Sequence, residues 1–243
     1  MPRVLPRTNF NSLSLVRLLS KLTTFEGAAS GESLAERLGH WLKVNDAITL
    51  FSALSPRSAP ASSDALQSSG ETNLVEELAR LRSVLARAIL ADDIDKLVSK
   101  AGLSMSSPLP GPTAEIGADF APYRRYYFAQ QRSMVAGIGA LRLRARDVLS
   151  RRTVALQQLA ELDGVLDQAL GSREQELLAT IPLLLEKRFD TVSQQAAAEA
   201  DAGKWLADFC RDLQSVLLAE LEVRLQPVMG LIEALRNEVT THQ

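Results

Sequence analysis

A chain of 243 residues with 46% hydrophobic content can bury one large core or two small ones, which excludes a disordered polymer. Aromatics make up only 5%, the apolar residues are mostly Leu and Ala, and β-branched runs are nearly absent, so an all-α fold is expected. The formal net charge of −2 argues against a cationic nucleic-acid binder as a whole, and the single cysteine, Cys210, excludes an internal disulfide or a Cys-rich metal site and fits a reducing, cytoplasmic setting.

The N-terminal stretch carries Arg3, Arg7, Arg17 and Lys21 before its first acid, Glu26. It lacks the apolar core and small-residue cleavage site of a secretory leader, and reads as the solvated start of a helix with Leu15, Leu18, Leu19 and Leu22 on one face. Ser33 to Glu36 has capping-box spacing, which starts a helix whose stripe is Leu34, Leu38, Trp41 and Leu42. Asn45 or Asp46 then caps a following helix bearing Ile48, Phe51 and Leu54. Residues 1–54 are thus expected to form a compact unit of short helices.

Two Ser/Pro/Gly/Ala-rich stretches, 55–73 and 102–121, read as linkers because they bury too little to offset their ordering entropy. Between them one long helix is predicted over 74–101, opened by Asn73 with Glu76 three residues on and closed by Gly102. Leu74, Leu78, Leu81, Leu85, Ala88 and either Leu97 or Val98 share one side. Their steps of four and three approach a 3.5-residue repeat, so this helix must pack lengthwise on another.

The remaining residues, 122–243, read as a long-helix bundle: a basic helix over 122–152, acidic helices over 153–200 and a C-terminal helix over 203–236. Pro122 suits a first turn, and Tyr127, Met134, Ile138, Leu141, Ala145 and Val148 trace a heptad seam. Leu159, Leu162, Leu166 and Leu170 continue it. A break is expected at Gly171-Ser172, where Ser172 and Gln175 match another capping box, before Leu177, Ile181, Leu184 and Phe189. Pro182 should kink a helix or mark its boundary. The last helix carries Leu206, Phe209, Leu213, Leu217 and Leu221 up to Pro227, with a short continuation through Val228, Leu231, Ile232 and Leu235. The expected architecture is an elongated helical bundle, or long antiparallel helical hairpins with heptad-like seams. Runs such as Ile181 to Leu185 fall far short of the roughly 20 apolar residues that cross a bilayer, so no membrane insertion is expected.

Charge is segregated. Residues 122–152 hold eight arginines and one acid, Asp147, a net of +7, whereas 153–203 hold nine acids and three bases, a net of −6. If a short turn joins the two segments as antiparallel helices, the arginines neutralise the carboxylates across the seam. In a second reading Tyr123, Arg124, Arg125, Arg132, Arg142, Arg144 and Arg146 form a surface for a protein partner. In a third, the aromatics and guanidiniums of the same helix bind nucleic acid. Arg142, Arg144 and Arg146 are spaced by two, about 200° around a helix, and should divide between its two sides.

Patterns for catalysis are missing from the sequence. There is no phosphate-binding glycine loop, and Gly137-Ile138-Gly139 lies in a helical pattern where glycine permits close helix approach. With only His40 and His242, no zinc set or Ser/His/Asp triad can be assembled. Asp92, Asp93 and Asp95 face different ways on a helix and read as a solvated turn, and Cys210 as a packed thiol with no activating neighbour. No catalytic residue, cofactor or metal is assigned.

The blocks "RTNFNSLSLVRLLSKL", "GESLAERLGHWLKVNDAITLFSAL", "YRRYYFAQQRSMVAGIGALRLRARDVLSRR", "LAELDGVLDQALGSREQELLATIPLLLEKRF" and "DLQSVLLAELEVRLQPVMGLIEALR" together resemble the bacterial family called domain of unknown function 3348, from about Arg7 to Arg236. The resemblance implies a genetic setting beside MotA/ExbB-like and OmpA-like membrane motor proteins and similarity to the accessory component of Zorya-type anti-phage systems. It supplies no catalytic residues. The expected function is a non-enzymatic cytoplasmic interaction subunit whose partners are motor-complex or neighbouring-gene products, with self-association favoured by unpartnered seams; nucleic-acid binding through 122–152 is the alternative.

Overall fold

The computed structural model describes residues 14–22, 39–55, 67–91, 119–199 and 204–241. Among them are seven α-helices and no strand: α1 (Ser14–Leu22), α2 (Val44–Leu54), α3 (Gln67–Leu90), α4 (Ala121–Ser150), α5 (Val154–Leu178), α6 (Ile181–Glu199) and α7 (Lys204–Thr241). The fold is all-α, as the Leu/Ala-rich composition and the heptad patterns require. Two compact units are drawn from alternating stretches of chain, not from successive blocks.

One unit takes residues 1–28, 89–128 and 182–223, and so contains α1, α6, the start of α4 and the first half of α7. Its core is aromatic at one place and leucine-based at another. Phe120, Tyr123, Phe189 and Phe209 are buried together, and Phe209, Leu213, Val216, Leu217 and Leu221 line the inner face of α7. The end of α3 is tied in by its last turn, whose carbonyls lack intrahelical partners. The Ile89 carbonyl accepts hydrogen bonds from the Tyr126 hydroxyl at 3.1 Å and from Gln214 Nε2 at 3.2 Å.

The other unit takes residues 29–88, 129–181 and 224–243. Here α4 and α5 are antiparallel neighbours because only Arg151, Arg152 and Thr153 separate them. Met134, Ile138, Leu141, Ala145 and Leu149 form the buried side of α4, and Val228, Leu231, Ile232 and Leu235 that of α7. The Thr153 hydroxyl donates to the Glu238 carboxylate, and α2 packs against α5, where Gln158 Nε2 donates to the Ser55 carbonyl at 3.3 Å. The Asp46 carboxylate accepts from the Lys43 backbone N–H at 3.0 Å, which satisfies a free donor at the start of α2.

Several expectations are corrected in detail. The long helix begins at Gln67, inside the stretch read as a linker, because Asn73 and Glu76 are tolerated as solvated interior positions once Leu74 is anchored. It ends at Leu90, and Ile89 is buried in place of exposed Ala88. Likewise Leu149 replaces Val148 on the α4 seam, and Leu178 and Leu185 are buried rather than Leu177 and Leu184. Helix α5 runs through Gly171-Ser172, since one glycine costs only about 1 kcal/mol in a long helix. The boundary falls instead at Ala179-Thr180, with Pro182 in the first turn of α6, where its missing N–H is harmless. Helix α7 also continues past Pro227. The cost of about 3 kcal/mol for an interior proline is outweighed by the buried Leu225, Val228, Leu231, Ile232 and Leu235 around it, each contributing about 1.5–3 kcal/mol. The Ser33 capping box, Leu97, Val98, Asp92, Asp93, Asp95 and His242 lie outside the described residues.

Gly137 lets α3 approach α4 closely: a Cβ built there would lie 2.8 Å from Leu81 Cδ1, whereas one at Gly139 would meet nothing within 4 Å. Gly139→Ala should therefore raise stability by about 0.5–1 kcal/mol through helix propensity. Gly137→Ala should fall short of that gain, because a Leu81 methyl must move. Urea midpoints of the two variants at unchanged slope check the difference.

Candidate functional site

The arginine-rich helix α4 is the candidate surface, and the six guanidiniums it carries have different fates. Arg142 and Arg146, one turn apart, face Asp163 and Asp167, one turn apart on α5. Arg142 grips Asp163 with two bonds, Nε to Oδ2 at 2.9 Å and Nη2 to Oδ1 at 2.6 Å, and reaches Asp167 Oδ1 with Nη1 at 2.6 Å. Arg146 Nε lies 3.0 Å from Asp163 Oδ2 and its Nη2 lies 2.5 Å from Asp167 Oδ2. The side chains of Arg142, Asp163 and Arg146 are only 14%, 11% and 18% exposed. Burial alone would lower the Arg142 pKa, but the Asp163 hydrogen bonds and the nearby charges of Asp163, Asp167 and Glu174 outweigh it and raise it.

Arg144, two residues from each, turns to the other side of α4 and pairs with Glu77 of α3. The three arginines thus divide as their 200° spacing predicts. Arg124 pairs with Glu186 of α6 and lies over the Phe120 ring at 5.5 Å, and Arg151, just past the end of α4, pairs with Asp147 at 2.7 Å. Arg125 and Arg132 are exposed and make no ion pair among the described residues. Arg142 and Arg146, expected to be exposed contact residues, are corrected to interior links between helices.

The tyrosines that flank these arginines are also drawn inward. Tyr123, expected on the partner surface, is buried 5.3 Å from Phe209 at 87° and 5.5 Å from Phe189. Trp205 stacks edge-on to Phe189 at 5.3 Å. Tyr127 is fully buried on the seam and donates its hydroxyl to Glu220, which is itself fully buried on α7. A seam aromatic has to bury its hydroxyl, and a carboxylate supplies the acceptor. Sequence reasoning missed Glu220, although it lies seven residues after Leu213 and so falls on the seam of α7. It also missed Glu77, and Glu174 as the partner of Arg224 at 3.3 Å.

Elsewhere, Trp41 lies under the Arg173 guanidinium at 5.8 Å, while the neighbouring His40 is exposed. Cys210 is a buried thiol. Among the described residues, no three His, Cys, Asp or Glu side chains converge as a metal site, and no helix is long and apolar enough to cross a membrane.

The model of the family described as protein of unknown function (DUF3348) matches residues 1–237. The chain belongs to that family. No curated protein and no solved structure matches it. In this DUF3348 chain the match spans every described helix but the last residues of α7, so the charge network and the aromatic cluster both lie within the family region.

Proposed function

We propose that this DUF3348 protein is a non-enzymatic helical interaction subunit that works at the cytoplasmic side of a MotA/ExbB-like and OmpA-like membrane motor in anti-phage defence. The supporting observation is the internal use of the basic helix. Arg124, Arg142, Arg144 and Arg146 each link α4 to another helix of the same chain, which favours a rigid scaffold over a basic strip held open for phosphates. Arg125 and Arg132 stay at the surface as contact positions for a partner.

Affinity purification of the tagged chain from its native gene neighbourhood, in detergent, tests this. Co-elution of the motor and OmpA-like neighbours, weakened in an Arg125→Glu/Arg132→Glu variant, is expected; recovery of none overturns the proposal. Direct nucleic-acid binding is the competing reading, resting on the same two arginines. Neutralising two phosphates would give a salt dependence of about −2 in log–log slope. A gel shift should show no retarded band at low salt, and a band that weakens with rising salt would favour nucleic acid instead.

A further inference from the structure

Helix α2 is inverted relative to the usual rule for amphipathic helices. Ala53, a small residue, is buried, and it lies on the side of α2 opposite Val44, Ile48 and Phe51. Those three and Leu54 are exposed by 77%, 63%, 76% and 59%. Sequence reasoning had Ile48, Phe51 and Leu54 as the apolar face of this helix, and they are one, but it faces solvent. Four side chains of this size expose on the order of 500 Å², the upper end for the largest apolar patch of a monomer.

We propose that this face is a self-association surface, in which α2 packs antiparallel on α2 of a second copy of the chain about a two-fold axis. The inference is independent of the motor proposal. Three observations select a second copy. First, burying the face on both copies would remove about 1,000 Å² in total, the threshold for a specific interface. Second, the stripe is self-complementary when reversed. Its steps of four, three and three place Val44 opposite Leu54 and Ile48 opposite Phe51 of the other copy, so each large side chain meets another, as an isologous interface requires.

Third, the charges at its ends are suited to that arrangement. The one acid of α2, Asp46, is engaged with the Lys43 N–H and lies on the side away from the stripe, so no like charges meet across the axis. Lys43, exposed at the start of α2, would lie beside the C-terminal carbonyls of the opposing helix, where a cation is favoured.

Light scattering on the full chain at micromolar concentrations should give twice the monomer mass, with dissociation on dilution. Phe51→Glu and Ile48→Glu should each give a monomer whose helical circular dichroism is unchanged, since both side chains are exposed in the single chain. A mixture of Val44→Cys and Leu54→Cys proteins should form a crosslinked dimer on oxidation, in higher yield than either alone. A wild type that stays monomeric throughout overturns the proposal. So does a dimer indifferent to both glutamates, or equal crosslinking of each cysteine variant by itself.

Discussion

Phe209→Ala should cost about 3–5 kcal/mol of folding stability, the range for truncating a wholly buried aromatic. The ring is 1% exposed and meets three others edge-on: Phe189 at 5.0 Å and 79°, Tyr123 at 5.3 Å and 87°, and Phe120 at 6.2 Å and 74°. Removing it takes away transfer energy and aromatic contacts and leaves a cavity that its three rigid ring neighbours close poorly. Tyr123→Ala should cost about as much, because Tyr123 is a member of the same cluster. Urea unfolding followed by circular dichroism checks both. A Tyr123→Ala protein as stable as wild type would mean that the tyrosine stands outside the core and is available to a partner.

Asp163→Asn should cost about 2–3 kcal/mol, less than the roughly 3–5 kcal/mol for stripping one member from a fully buried pair. The substitution keeps the shape and removes the charge between Arg142 and Arg146, leaving both to share Asp167, which is 40% exposed. Replacing Arg142 and Asp163 together with Met and Leu should recover most of the loss, since an apolar pair leaves no uncompensated charge. A double-mutant cycle measured by urea midpoints checks this. The Arg142 pKa is raised in the fold, so its stabilisation is fully present below the unfolded value and is lost only as pH rises through a still higher one. The cluster should thus show no arginine-linked loss of stability across neutral and mildly alkaline buffers.

The charge network was legible in outline. Arg142 and Arg146 are four apart, Asp163 and Asp167 are four apart, and only three residues separate the helices that carry them, so an antiparallel register aligns the two pairs. What was not legible is which carboxylate each outlying arginine finds. Glu77 for Arg144 and Glu186 for Arg124 lie 67 and 62 positions away in the chain, and helical periodicity says nothing about such separations. Tyr123 shows the same limit. An aromatic beside two arginines has the local look of a binding platform, and its burial depends on Phe189 and Phe209 arriving from other helices.

By itself the sequence determined the helical class and most of the seams of α3, α4 and α7, and offered the antiparallel pairing of the basic and acidic helices as one of three readings, because periodicity, propensity and short connections are local properties. Only the tertiary structure decided where α5 ends, that α7 passes through Pro227, that Glu220 sits inside the core, and that Val44, Ile48, Phe51 and Leu54 face outward. Each of these turns on a competition between a local preference and the burial offered by chain segments distant in sequence. A proline is accommodated when enough leucines are buried around it. An apolar stripe stays exposed when the chain already holds the opposite side of its helix.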